Sequence, residues 1–167
     1  MPPPHPSPSR HSWVCSDLTA TEALAAALAA QLRPGDVVWL HGELGAGKTA
    51  FAQGFGAALG IDQPITSPTF NLVHSYPLGH VTLHHADLYR LGTQHELDDL
   101  ALPELADDRG IVLVEWGDVV EAVFGEHLTV RLDPTDDDDM ARLITIHATG
   151  PAWAARGDAV RAAVASC

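Results

Sequence analysis

Gly42-Glu43-Leu44-Gly45-Ala46-Gly47-Lys48-Thr49 fits the spacing G-x-x-x-x-G-K-[ST] of a phosphate-binding P-loop. Four of its eight positions are fixed, so a chance match is expected in about one chain of this length in a couple of hundred. Glycines let the backbone turn its N–H groups inward around phosphate oxygens, and a helix that starts at the loop adds partial positive charge. The backbone from Glu43 to Ala50 is therefore the expected cradle, with Lys48 reaching the β- and γ-phosphates and the Thr49 hydroxyl ligating Mg²⁺. Of nine basic residues eight are arginine, and Lys48 is the one lysine. A flexible point charge has been kept where a planar guanidinium would not substitute for it.

Other residues bear chemistry at positions that matter only beside such a loop. Ile111-Val112-Leu113-Val114-Glu115 is an apolar run that ends in an acid, which places a carboxylate at the tip of a buried strand. In P-loop proteins that acid holds Mg²⁺ or its water. Asp87, at the end of a second strand, is suited to orient a water or a metal ligand. Thr66-Ser67-Pro68-Thr69 gathers three hydroxyls in one loop. That is either a polar turn or a segment that senses the γ-phosphate, as switch loops do. His84, His85 and Asp87 lack the further ligands that a zinc site needs.

These groups need elements to position them. Asp36–His41 reads as a buried strand entering the loop. Phe51, Phe55 and Leu59, four apart, form one helix face after it, and Gly60 is a natural stop. Before it, Thr19 and Glu22 fit a capping box for a helix over Ala20–Arg33 with Leu24, Leu28 and Leu32 on one stripe. Phe70–Tyr76 and His80–His85 read as a hairpin turning at Pro77-Leu78-Gly79. Gly92–Leu102 is an acidic helix, and Pro103 opens a short one that stops near Gly110. Asp118–Phe124 reads as a short helix. His127–Leu132 and Arg142–Ala148 alternate as strands, joined by an exposed tip carrying four consecutive aspartates. An Ala-rich helix follows Gly150-Pro151. The expected fold is α/β: a single P-loop NTPase domain with a mixed parallel and antiparallel sheet flanked by helices.

Length and charge narrow the classes. At 167 residues the chain forms one domain, with a Pro-rich disordered tail over 1–12 and the P-loop domain over 13–167. Five of the first eight residues are proline. The formal net charge of −13 argues against stand-alone nucleic-acid binding. Cys15 and Cys167 make no metal spacing and read as two reduced thiols, as in the cytosol. No stretch reaches membrane-span length, and the start lacks the apolar core of a signal peptide.

Four segments occur together in this order: His41–Thr49, Thr66-Ser67-Pro68-Thr69-Phe70, His85-Ala86-Asp87-Leu88-Tyr89-Arg90-Leu91 and Leu113-Val114-Glu115-Trp116. Over about residues 14–150 the chain resembles the TsaE (YjeE) family of small bacterial ATPases of tRNA threonylcarbamoyladenosine synthesis. The resemblance implies a protein that binds ATP with Mg²⁺ and hydrolyses it slowly in the cytoplasm, working with TsaD and TsaB. TsaD is then the transferase, tRNA is reached through the complex, and the modified adenosine lies in tRNAs that read codons beginning with A. The resemblance also implies roles for residues. Lys48 and Thr49 contact phosphate and Mg²⁺, Glu115 is the Mg²⁺-associated acid, and Asp87 is needed for hydrolysis. Ser67, Pro68 and Thr69 form the switch-like loop. Asp17 and Arg142 are candidates for nucleotide contact outside the P-loop. Ala50 departs from a threonine common in the family at that place. A small-molecule P-loop kinase is the alternative, although the arginine-bearing lid it requires is not visible.

Overall fold

A computed structural model of the chain describes residues 10–66, 68, 72–89, 91, 93–116 and 124–165. Its strands form one sheet: β1 (Arg10–Cys15), β2 (Val37–His41), β3 (Val73–Pro77), β4 (Thr82–Asp87), β5 (Gly110–Glu115), β6 (His127–Pro134) and β7 (Arg142–Thr149). The order across the sheet is β1-β7-β6-β2-β5-β4-β3. β6, β2, β5 and β4 run parallel, whereas β3 pairs antiparallel with β4, β7 with β6, and β1 with β7. The mixed sheet expected from the sequence is therefore present. The helices are α1 (Leu18–Ala29), α2 (Lys48–Leu59), α3 (Gln94–Asp99), α4 (Leu102–Asp107) and α5 (Pro151–Ala165).

Two apolar clusters lie on opposite faces of the sheet. The larger joins α1, α2 and α5 to Val38, Leu40, Leu113, Leu128, Val130 and Ile144. The smaller joins α3 and α4 to Val37, Ala86, Val112 and Val114. Adjacent residues of β2 and β5 thus serve different cores, as the two-residue repeat of a strand requires. The stripe expected along α2 forms: Phe51 and Phe55 are fully buried with ring centroids 6.1 Å apart. α1 packs closely on α2, because a Cβ on Gly54 would lie 2.7 Å from the backbone of Glu22. Gly60 ends α2 in the left-handed region, as expected.

Several boundaries differ from the sequence reading. β1 starts at Arg10, so the domain takes in Arg10, His11 and Ser12, which the sequence reading assigned to the tail. Pairing with β7 over its whole length accounts for this, and composition does not show such a partner. Residues 1–9 lie outside the described residues. α1 begins at Leu18 because the carboxylate of Asp17 accepts the Ala20 amide at 2.8 Å, so Asp17 is the cap and Thr19 falls inside the first turn. A capping box does occur at Thr93 and Glu96, ahead of α3. The helix expected over Asp118–Phe124 falls almost wholly outside the described residues, as does Cys167. No helix among the described residues is long and apolar enough to cross a membrane.

Candidate functional site

The P-loop leaves the end of β2, the strand on which the sheet order turns back between β5 and β6. Ligands of open α/β sheets collect at such a switch point. Gly47 has φ +100° and serves as the backbone cap of α2, whose first turn carries no side-chain cap. A residue with a Cβ would be strained at that φ. The first amides of α2 are therefore left for an external anion. Glu43, Leu44, Gly45 and Thr49 are exposed, Ala46 is buried, and Gly47 and Ala50 are half-buried.

Lys48 is 7% exposed. Its Nζ donates to the Gly42 carbonyl at 2.6 Å and stands 3.7 Å from the centroid of the Trp116 ring. Burial lowers its pKa from the ordinary lysine value, while the negative charges of Glu115 and Asp87 act against that shift. Those two acids are cross-strand partners at the ends of β5 and β4. Glu115 is almost fully buried, and its Oε1 lies 2.9 Å from Nε2 of His85, which is itself 1% exposed. Asp87 is half-buried, and its Oδ1 accepts the Tyr89 amide at 3.0 Å. The strand ends are tied again beyond the ladder, where the Leu88 amide donates to the Glu115 carbonyl at 3.0 Å.

Arg142 opens β7 and grips the loop. Its Nε donates to the Ala46 carbonyl at 2.9 Å, and NH2 lies 3.4 Å from the Gly45 carbonyl. Its NH1 is held by the carbonyls of Asp139 and Ala141. The residue expected to touch nucleotide directly therefore also braces the P-loop. Asp17 caps α1 two residues after Cys15, the register partner of Arg142. Pro68 is buried, and Ser67 and Thr69 lie outside the described residues.

Three residues beside the site were not singled out as functional from sequence. Trp116 reads most simply as core, yet it lies over Lys48 and pairs with Tyr89 at 4.9 Å between ring centroids. It holds φ +57°, a conformation costing a non-glycine residue about 1–2 kcal/mol. Its place immediately after the acid-tipped strand was the available signal. Tyr89 is 67% exposed and lies within the Asp87–Leu91 segment. His85 drew notice only as a possible zinc ligand. Neighbours on a strand face opposite ways, so His84 turns to Ser75 at 2.7 Å and His85 to Glu115. No group of three metal-binding side chains occurs among the described residues.

A polyphosphate fits this arrangement. The uncapped helix start supplies amides, the left-handed glycine keeps the loop open, and Lys48 rests on a neutral carbonyl and a ring, both weaker partners than phosphate. For Mg²⁺ the hard oxygen donors are the Thr49 hydroxyl and the carboxylates of Glu115 and Asp87.

A family model described as threonylcarbamoyl adenosine biosynthesis protein TsaE matches residues 15–144. The chain is 40% identical over 139 residues to the tRNA threonylcarbamoyladenosine biosynthesis protein TsaE of Bacillus subtilis, covering 83% of this chain and 85% of the relative. It is 42% identical over 133 residues to the protein of the same name from Streptomyces coelicolor, covering 76% and 89%. The crystal structure of Bacillus subtilis YdiB superposes with a TM-score of 0.76 at 32% identity, covering 94% of this chain and 97% of that one.

Proposed function

The chain belongs to the TsaE family, and from that premise we propose that it is the Mg²⁺-dependent ATPase subunit of the cytoplasmic machinery that forms threonylcarbamoyladenosine in tRNAs reading codons that begin with A. In this reading it acts with TsaD and TsaB, reaches tRNA through their complex, and is not itself the threonylcarbamoyl transferase. The observation that carries the ATPase assignment is the in-register pair Asp87 and Glu115 at the head of the P-loop, facing the buried ammonium of Lys48.

Phosphoryl transfer to water needs positioning and charge neutralisation more than covalent chemistry. The amides from Glu43 to Ala50 hold the phosphates, and Lys48 leaves the Gly42 carbonyl for the β- and γ-oxygens. Thr49 and Glu115 hold Mg²⁺, which when bound neutralises charge on those oxygens. His85 fixes one oxygen of Glu115 and so orients the other. Asp87 orients the attacking water. Ser67, Pro68 and Thr69 respond to the γ-phosphate, and Arg142 keeps the loop in shape, with Asp17 at the same edge.

Glu115→Gln and Asp87→Asn test this. Phosphate release should fall by about 100-fold, whereas the affinity for a fluorescent ATP analogue should change by less than about fivefold. Release by the wild-type chain should rise when TsaD and TsaB are added. Normal turnover in both variants would remove the site assignment. ADP formation that answers to a small metabolite and not to the partners would point to a kinase.

A further inference from the structure

One half of one sheet face has no helix on it. α3 and α4 cover the side of β2, β5 and β4 that carries Val37, Val112 and Val114. Across β6, β7 and β1 the same face forms an open groove with a cavity volume of about 500 Å³. Register arranges its lining in rows. Trp39, Thr129, His147 and Arg10 are successive cross-strand partners. His41, Arg131, Thr145 and Ser12 form the next row.

The chemistry of these rows departs from that of the chain. The protein carries 22 carboxylates against nine lysines and arginines, and its net charge is −13. The groove is lined by two arginines, three histidines and three threonines, with Trp39 as the end wall and no carboxylate. Asp133, beyond the lining, engages Arg131 only through Nε, at 2.8 and 3.0 Å, which leaves both terminal nitrogens of the guanidinium outside that pair. Trp39 packs edge-on against His41 at 5.4 Å, and its buried indole N–H has no hydrogen-bond partner. A solvated antiparallel face is ordinarily mixed in charge. This one holds cations, hydroxyl donors and flat rings only.

We propose that this face is a binding surface for a single-stranded segment of RNA. Phosphates would lie along the arginines and threonine hydroxyls, and bases would stack on the imidazoles at the Trp39 end. A flat run of strands carrying donors and rings suits an unpaired strand, whose bases can splay onto it. The groove chemistry stands by itself, and the choice of RNA over another polyanion rests on the tRNA-modification reading above. The overall negative charge keeps the contact weak, consistent with a protein that meets RNA inside a complex.

The full chain without nucleotide is titrated into fluorescein-labelled oligouridylate, and anisotropy is read between 25 and 200 mM salt. Binding is expected at low salt. Arg10→Gln with Arg131→Gln should weaken it about tenfold at the lowest salt and flatten the log–log salt slope by about 0.7 per arginine. ATP affinity should stay unchanged in the variant, which separates this face from the P-loop. Trp39→Phe should leave the slope unaltered, because it removes no charge. No binding at 25 mM, or binding that the double variant leaves intact, overturns the proposal. Polyglutamate displacing the RNA with equal affinity also overturns it, in favour of an acidic polypeptide. Because no turnover is measured, RNA binding can hold if the ATPase reading fails, and the reverse.

Discussion

The sheet has two unlike halves. β2, β5 and β4 are covered on both faces, and all six residues of β5 are buried. β6, β7 and β1 are covered on one face, so buried Leu128, Val130, Leu132, Ile144 and Ile146 alternate with polar neighbours. The covered half carries Lys48, Glu115, His85 and Asp87, with most of these groups removed from water. The open half carries arginines, histidines and threonines against solvent. Charged groups gain strength of interaction where water is excluded, and they are tolerated there only with partners. That is why the chemistry sits on the covered half and the groove on the other.

The severest test of this contrast is Lys48→Ala. If the covered half owes its function to one buried cation, ATP affinity should fall by about 100-fold or more while the thermal unfolding midpoint stays close to wild type, because Lys48 is held by one carbonyl and one ring. Calorimetric titration with ATP and Mg²⁺ measures the first, and a melting curve the second. Retained affinity would mean that the helix start and loop amides suffice.

A packing pair sharpens it next. Leu113 is fully buried in β5 and touches the larger core, so Leu113→Ala should cost about 2–5 kcal/mol. Thr129 faces the open groove on β6, and Thr129→Val should change stability by no more than about 0.5 kcal/mol. Urea titration of both variants reads the difference. Equal costs would mean that the open half is as tightly packed as the covered one.

The two halves also differed in how far they could be read from sequence. The β5 run and the P-loop are local patterns, and the structure places Lys48, Asp87 and Glu115 together as their order implied. The alternation of β6 and β7 was equally plain. What lay hidden were relations between distant segments. Arg10–Ser12 is a strand only because β7 lies beside it. Arg142 braces Ala46 and Gly45 across almost a hundred residues of chain. Trp116 leaves the core because a left-handed backbone turns it toward Lys48. The groove emerges only once the register sets Arg10 beside His147 and Trp39 beside Thr129.

The smallest expected effect is a pH dependence from the covered half. His84 is 8% exposed on β4, hydrogen-bonded through Nδ1 to Ser75 Oγ at 2.7 Å, and close under the turn into β5, where a Cβ on Gly110 would lie 2.9 Å from its ring. Burial lowers its pKa below the usual 6.5, with the charge of Asp108 acting weakly the other way. In the folded chain the imidazole therefore stays neutral to lower pH than in the unfolded chain. Between 6.5 and that lowered value the unfolded state binds more protons, so stability is full above 6.5 and declines as the pH falls through this window. Urea midpoints measured from pH 7.5 down to 5.5 should fall for the wild type. His84→Asn keeps a polar partner for Ser75 and does not titrate, so its midpoints should fall less steeply, whatever its stability at pH 7.5. Parallel curves for the two proteins would show that His84 takes up its proton as readily folded as unfolded. The doubly covered half would then be more open to water at β4 than its burial indicates.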